Sequence, residues 1–109
     1  MFILRAVCAA NPGQEDEARA AARDLMEQTR SHEHILSYFW TIDDATGELS
    51  VWEVHPHDES LLKHIEDSDL GKMAATMTVK QVETFGDAPS ASVQETLSGF
   101  ADYRHLPIV

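Results

Sequence analysis

The sequence predicts an α+β fold, with elements in the order β-α-β-β-α-β and one further helix after the last strand. Three observations carry that expectation. Segments rich in β-branched and aromatic residues alternate with segments of helical periodicity. Proline and most of the glycines fall between these segments as punctuation. The 109 residues, 43% hydrophobic and 25% charged, have the size and balance of one globular domain, so residues 1–109 are read as a single unit.

Taken in order, Phe2 to Cys8 is β-rich and largely apolar on both alternating faces, as a central strand requires. Asn11-Pro12-Gly13 is a turn signal. From Gln14 to Arg30 the periodicity is helical. Ala18, Ala21, Ala22, Leu25 and Met26 share a stripe, and Glu15, Asp16 and Glu17 crowd the first turn, where the helix dipole favours negative charge. Ile35 to Ile42 is a strand by its Tyr38-Phe39-Trp40-Thr41 content. Asp43 to Gly47 closes a hairpin with its glycine late, and Leu49 to His55 returns until Pro56 stops it. Asp58 is placed to cap a second helix through Leu61, Leu62, His64 and Ile65, with a short helical turn following from Ser68 to Ala75. Met77 to Phe85 is the fourth strand. Ser92 and Glu95 have capping-box spacing ahead of Val93, Leu97 and Phe100. The tail from Ala101 to Val109 has two options, a short edge strand or an arm to a partner. This order is the ferredoxin-like, split βαβ arrangement, in which a four-stranded antiparallel sheet carries both main helices on one face.

The hairpin fixes which side chains share a face. Pairing Asp43 with Glu48 sets Tyr38 across from Glu53, Trp40 across from Val51 and Ile42 across from Leu49. Strand alternation then gathers Tyr38, Trp40, Ile42, Leu49, Val51, Glu53 and His55 on one side, and Ser37, Phe39, Thr41, Trp52 and Val54 on the other. Both sides carry large aromatics. One belongs under the helices, and the other calls for a second sheet, most simply that of a second copy; the expected assembly is a homodimer forming an α+β barrel. A slip of one residue would exchange the faces.

Composition excludes several functions. Nineteen acidic against eight basic side chains give a formal net charge of −11, which repels phosphate backbones and anionic lipid, so neither nucleic acid nor membrane is an expected partner. Cys8 is the single cysteine, set in an apolar run. It reads as a small buried hydrophobe in a reducing, cytoplasmic setting, without disulfide or CxxC chemistry. Met1 to Ala10 is apolar, but Arg5 interrupts it and no basic segment precedes it, so it reads as a strand rather than a targeting signal. No other segment approaches the roughly 20 apolar residues of a membrane span.

The stretch from Ser50 to His64, reading Ser-Val-Trp-Glu-Val-His-Pro-His-Asp-Glu-Ser-Leu-Leu-Lys-His, resembles the strand-helix signature of antibiotic biosynthesis monooxygenase domains. The Pro12-Gly13 turn before an acidic helix and the segment Val82 to Ser90 resemble the same family. The resemblance runs from Met1 to about Leu106. It implies a dimeric α+β barrel with a pocket between sheet and helices in each subunit. It further implies a cofactor-independent monooxygenase that oxidises a small aromatic, phenolic or quinol substrate with dioxygen. Glu53 and His64 match family positions. His55 stands where many members carry Trp or Tyr. A haem-degrading branch uses a first-strand asparagine, which Leu4 to Cys8 lacks, and that activity is not expected.

Each candidate residue has a plain structural reading beside the functional one. Glu53 is an expected proton acceptor for a phenol or quinol, or else a structural strand-to-helix hydrogen-bond partner. His64 is the second expected proton handler, or a packed and satisfied helix histidine. Tyr38, Trp40 and His55 are expected to position substrate, and both tryptophans serve equally as core packing. Arg5 pairs with a carboxylate or contacts an anionic ligand. His55, His57 and His64 raise a metal reading, but Pro56 breaks the strand between the first two. His32 and His34 form a second His-x-His in a loop. Neither has full ligand spacing, so no metal is expected. The rival functions are a non-catalytic small-molecule-binding or stress-related dimer of the same fold, and an interaction domain whose pocket is filled by its own side chains.

Overall fold

A computed structural model describes residues 1–109. Strand β1 (Phe2–Ala10) leads into helix α1 (Glu15–Thr29). The hairpin β2 (Ser37–Ile42) and β3 (Leu49–His55) follows, then α2 (Asp58–Asp67), α3 (Leu70–Thr76), β4 (Met77–Gly86), α4 (Ala91–Ser98) and β5 (Asp102–Leu106). The sheet order is β2-β3-β1-β4-β5. The first four strands are antiparallel neighbours in the ferredoxin-like order.

The expected sheet of four antiparallel strands is corrected to a mixed sheet of five. Strand β5 lies parallel to β4, with Gln81 beside Asp102 and Phe85 beside Leu106. A parallel neighbour needs a crossover, and α4 supplies it. Of the two options for the tail, this chain uses the edge strand.

The hairpin register is the expected one. Tyr38 faces Glu53, Trp40 faces Val51 and Ile42 faces Leu49. It is pinned at its turn, where Asp43 N–H donates to the Glu48 carbonyl at 2.9 Å and Gly47 takes a φ of +77°, a conformation that disfavours a β-carbon. Strand β1 alternates as a central strand should. Phe2, Leu4, Ala6 and Cys8 are buried on the inner side, and Ile3, Arg5 and Val7 are half-buried on the outer. A β-bulge opposite Val7 and Cys8 leaves Lys80 unpaired and exposed, so the inward sequence of β4 is carried past it from Val82 to Val79.

All helices lie over the inner face. Ala18 and Ala21 let α1 approach Cys8, Leu49 and Met77 closely. Leu61 of α2 and Val93 and Leu97 of α4 pack on Phe2, Leu4, Ala6, Val51 and Val82. Met26, expected on the buried stripe of α1, is only partly covered, and Thr29 completes that stripe. Two helix starts differ from expectation. His57, not Asp58, occupies the cap position of α2, and the Asp58 carboxylate accepts Ser90 N–H at 3.0 Å instead. Ser90, not Ser92, caps α4, its hydroxyl accepting Val93 N–H at 3.3 Å. Helix α3 has no fully buried residue and runs directly into β4.

No chain element covers the outer face. Phe39 is 44% exposed there and stacks on Trp52 at 6.3 Å between ring centroids. Arg5 lies 4.9 Å over the Trp52 ring and 3.6 Å from Glu83, whose other oxygen takes Arg104 at 2.6 Å. Arg5 therefore pairs with a carboxylate of the neighbouring strand. No helix is long and apolar enough to cross a membrane.

Candidate functional site

A cavity of about 70 Å³ lies between the inner face of the sheet and the helices. Of its 17 lining residues 14 are hydrophobic, and the others are Glu53, His64 and Ser68. Leu4, Ala6, Val51 and Val82 form the sheet side, with Leu61 and Ile65 of α2 and Leu70 and Met73 of α3 opposite. Tyr38, Trp40, Glu53 and His64 all line this cavity. Four of the five sequence-predicted site residues are thereby brought together.

The polar groups are organised by strand alternation and by the face of α2. Glu53 and His55 are two residues apart on β3, so both point inward. His55 Nε2 lies 2.8 Å from Glu53 Oε1, and His55 Nδ1 lies 2.7 Å from the Ser60 hydroxyl on α2. Ser60 in turn donates its single proton to the His34 carbonyl at 2.6 Å. That commitment decides the rest of the chain of hydrogen bonds. Ser60 therefore accepts from His55 Nδ1–H, and the other imidazole nitrogen faces the Glu53 carboxylate. That hydrogen bond is how a buried acid on an inner sheet face is tolerated. His55 itself is fully buried and does not line the cavity. Expected at the cavity wall, it lies instead behind Glu53, 2.8 Å from its carboxylate.

The second carboxylate oxygen, Oε2, lies 3.6 Å from His64 Nε2. Burial holds the His64 pKa below the ordinary histidine value, with His55, His32 and His34 adding to the effect and Glu53 opposing it. His64 is therefore neutral at pH 7. Tyr38 accepts the Trp40 indole N–H at 2.9 Å. Burial, together with the nearby Glu53 charge, raises the Tyr38 pKa, so the phenol keeps its proton at neutral pH. Burial also pushes the Cys8 thiol up to about 12, which keeps it protonated and unreactive. The site thus offers an apolar slot, one carboxylate oxygen, one neutral imidazole and one phenol donor.

No protein-family model matches the sequence, and no curated protein matches it either. Solved structures do match. An antibiotic biosynthesis monooxygenase superposes with a TM-score of 0.67 at 21% identity, over 82% of this chain and all of that one. This chain has the antibiotic biosynthesis monooxygenase fold. MupZ of Pseudomonas fluorescens shares that fold over 99% of this chain and 91% of its own, with a TM-score of 0.78 at 12% identity. Rv0793 of Mycobacterium tuberculosis shares it over 83% and 97%, with a TM-score of 0.66 at 18% identity. Identities this low carry the fold and leave the chemistry to the residues present.

Within that fold, three polar residues complete the site without having been singled out as part of it. Ser60 sits five residues after His55, on a helix whose packing brings it back over the strand, and sequence periodicity does not reveal that contact. His32 and His34 stand out as a His-x-His pair, but only the folded loop shows them against His64. His32 Nδ1 lies 3.3 Å from His64 Nδ1, and the rings of His32 and His34 stack at 5.2 Å. His57, by contrast, is exposed and pairs with Glu59, away from the site.

Proposed function

We propose that the cavity binds a small aromatic molecule, phenolic or quinol, and that the protein oxidises it with dioxygen in a cofactor-independent reaction. The observation that carries this reading is the meeting of a hydrogen-bonded Glu53–His55 pair and a neutral His64 at the wall of an otherwise apolar cavity. A phenol entering the slot meets groups able to take its proton, and an electron-rich phenolate is the form that dioxygen oxidises. The ring supplies the electrons, one oxygen atom is inserted and the other leaves as water. Glu53 and His64 handle the proton, Tyr38 and Trp40 hold the ring, and His55 positions Glu53. The single buried thiol fits a reducing compartment such as the cytoplasm.

A second reading has its own support. The cavity of about 70 Å³ is roughly half the ~150 Å³ that accommodates benzene in an engineered protein core. A ring fits only after a wall yields, and α3, with no fully buried residue, is the wall least held. A protein that binds without turnover, or whose slot is packed by its own side chains, satisfies the same geometry.

Oxygen uptake with a panel of quinols and phenols separates these readings. Turnover by the native protein is expected to fall at least about 100-fold in Glu53→Gln and in His64→Ala, in line with the loss of a positioned acid-base group. Uptake unchanged in both variants removes the proposed roles. Binding without uptake selects the non-catalytic reading.

A further inference from the structure

We infer that His32, His34 and His64 form a binding site for one divalent transition-metal ion of the zinc class. One ring nitrogen from each of the three lies within 4.8 Å of the others. Zinc–nitrogen bonds of 2.0–2.1 Å place neighbouring tetrahedral ligands about 3.3–3.4 Å apart. The separation between His32 Nδ1 and His64 Nδ1 is already 3.3 Å, and the cluster with a His34 nitrogen spans no more than 4.8 Å.

Two independent features point the same way. The His34 Nε2 atom is shut away from solvent and has no hydrogen-bond partner, which is a cost in a protein side chain unless something else satisfies it. His64, coordinated through Nδ1, would turn Nε2–H toward Glu53 Oε2, now 3.6 Å away. That is the carboxylate–histidine–metal relay that orients metal-bound imidazoles. The relay here is unusually long: Glu53 is held by His55, His55 by Ser60, and Ser60 grips the main chain of His34 itself. One hydrogen-bond chain therefore ties the loop bearing two of the ligands to the helix bearing the third. His32 and His34 are partly exposed, which gives an ion a path in from solvent. Three imidazoles leave a fourth position for water or a bound anion, and nitrogen ligands select zinc, cobalt, nickel or copper over magnesium or calcium.

The site does not depend on the oxidation reading, and it bears on it. A His64 ring bound at Nδ1 and donating at Nε2 has no lone pair left for a substrate proton. Metal occupancy and proton transfer at His64 therefore exclude each other in one protomer.

The test uses untagged, metal-free protein titrated with Co²⁺ and with Zn²⁺. The expected result is one ion per chain by calorimetry. Co²⁺ is expected to show the visible absorption of tetrahedral coordination, and Zn²⁺ to displace it. His32→Ala and His34→Ala, on the loop and away from the packed core, are each expected to weaken binding at least about tenfold, and Glu53→Gln by about 10- to 100-fold. His57→Ala, at an exposed histidine outside the cluster, serves as the control and is expected to bind as the native chain does. Absence of stoichiometric binding overturns the inference. So does binding that survives both loop substitutions, or that is lost in His57→Ala. Because the readout is binding rather than turnover, failure here leaves the oxidation reading standing, and failure of oxygen uptake leaves this one standing.

Discussion

Ser60 is a small side chain with a large share in the site, because its one proton and its lone pairs are both used. It donates to the His34 carbonyl and accepts from His55, and both contacts are buried or nearly so. Ser60→Ala leaves a buried imidazole N–H and a main-chain carbonyl without partners. The expected cost is about 1–3 kcal/mol in urea unfolding, well above that of an exposed serine. The histidines set the pH response. Burial lowers the pKa of both His64 and His34 in the folded chain, while the unfolded chain keeps the ordinary value of 6.5. Below about 6.5 the unfolded chain therefore binds more protons, and stability falls as pH drops until the folded-state values are passed. The slope is at most about 1.4 kcal/mol per pH unit for the buried His64 and well below that for the partly exposed His34, where solvent screens the effect. Melting temperature followed from pH 7.5 downward is expected to decline, and less steeply in His64→Gln; a flat profile in the native chain contradicts the assignment. Glu53, His64, Tyr38 and Trp40 were legible in the sequence because strand alternation and helix periodicity determine facing. The contacts of His32, His34 and Ser60 were not, because loop paths and helix–strand docking leave no periodic trace.

At the scale of elements, the sequence located the first four strands and the helices but placed two caps one or two residues away from their true positions. The reason is shared. Asp58 and Ser92 have capping chemistry, but Asp58 is drawn to Ser90 N–H, and Ser90 stands where the chain leaves Pro89 and enters α4. Ser90→Ala is expected to cost about 1 kcal/mol in chemical denaturation, and Ser92→Ala clearly less. The reverse order contradicts the assigned cap. The hairpin register, by contrast, followed from sequence alone, because Asp43 and Gly47 leave little choice of turn and one slipped residue would carry Glu53 to the open face. Strand β5 was only half legible. Five residues of alternating character do not announce a parallel partner, and its pairing depends on the crossover that α4 makes.

For the whole molecule, the outer sheet face is left open by the chain's own helices, and we propose that a second copy covers it. Phe39, Trp52, Ile3, Val7 and Val54 supply apolar area there, and the Arg5–Glu83–Arg104 cluster supplies a charged centre already neutralised in part within the chain. Such a face suits an isologous, two-fold contact. Gel filtration with light scattering is expected to give twice the protomer mass of 12.2 kDa at micromolar concentration. Trp52→Glu is expected to shift the protein to the protomer mass without unfolding it, since Trp52 is only half-buried within one chain. A native chain that runs as a monomer sinks the barrel assembly.

The sheet's other margin carries a different hazard. Ser37 to Ile42 has a partner on one side only, and its six residues hold neither a charge, a proline nor a glycine. Runs of that composition stack readily into cross-β fibrils once the native state loosens. Heating, or acid that protonates His64 and His34, would therefore convert a lost fold into insoluble deposits seeded at this ribbon, and a lysine in place of Thr41 would act as a gatekeeper against them.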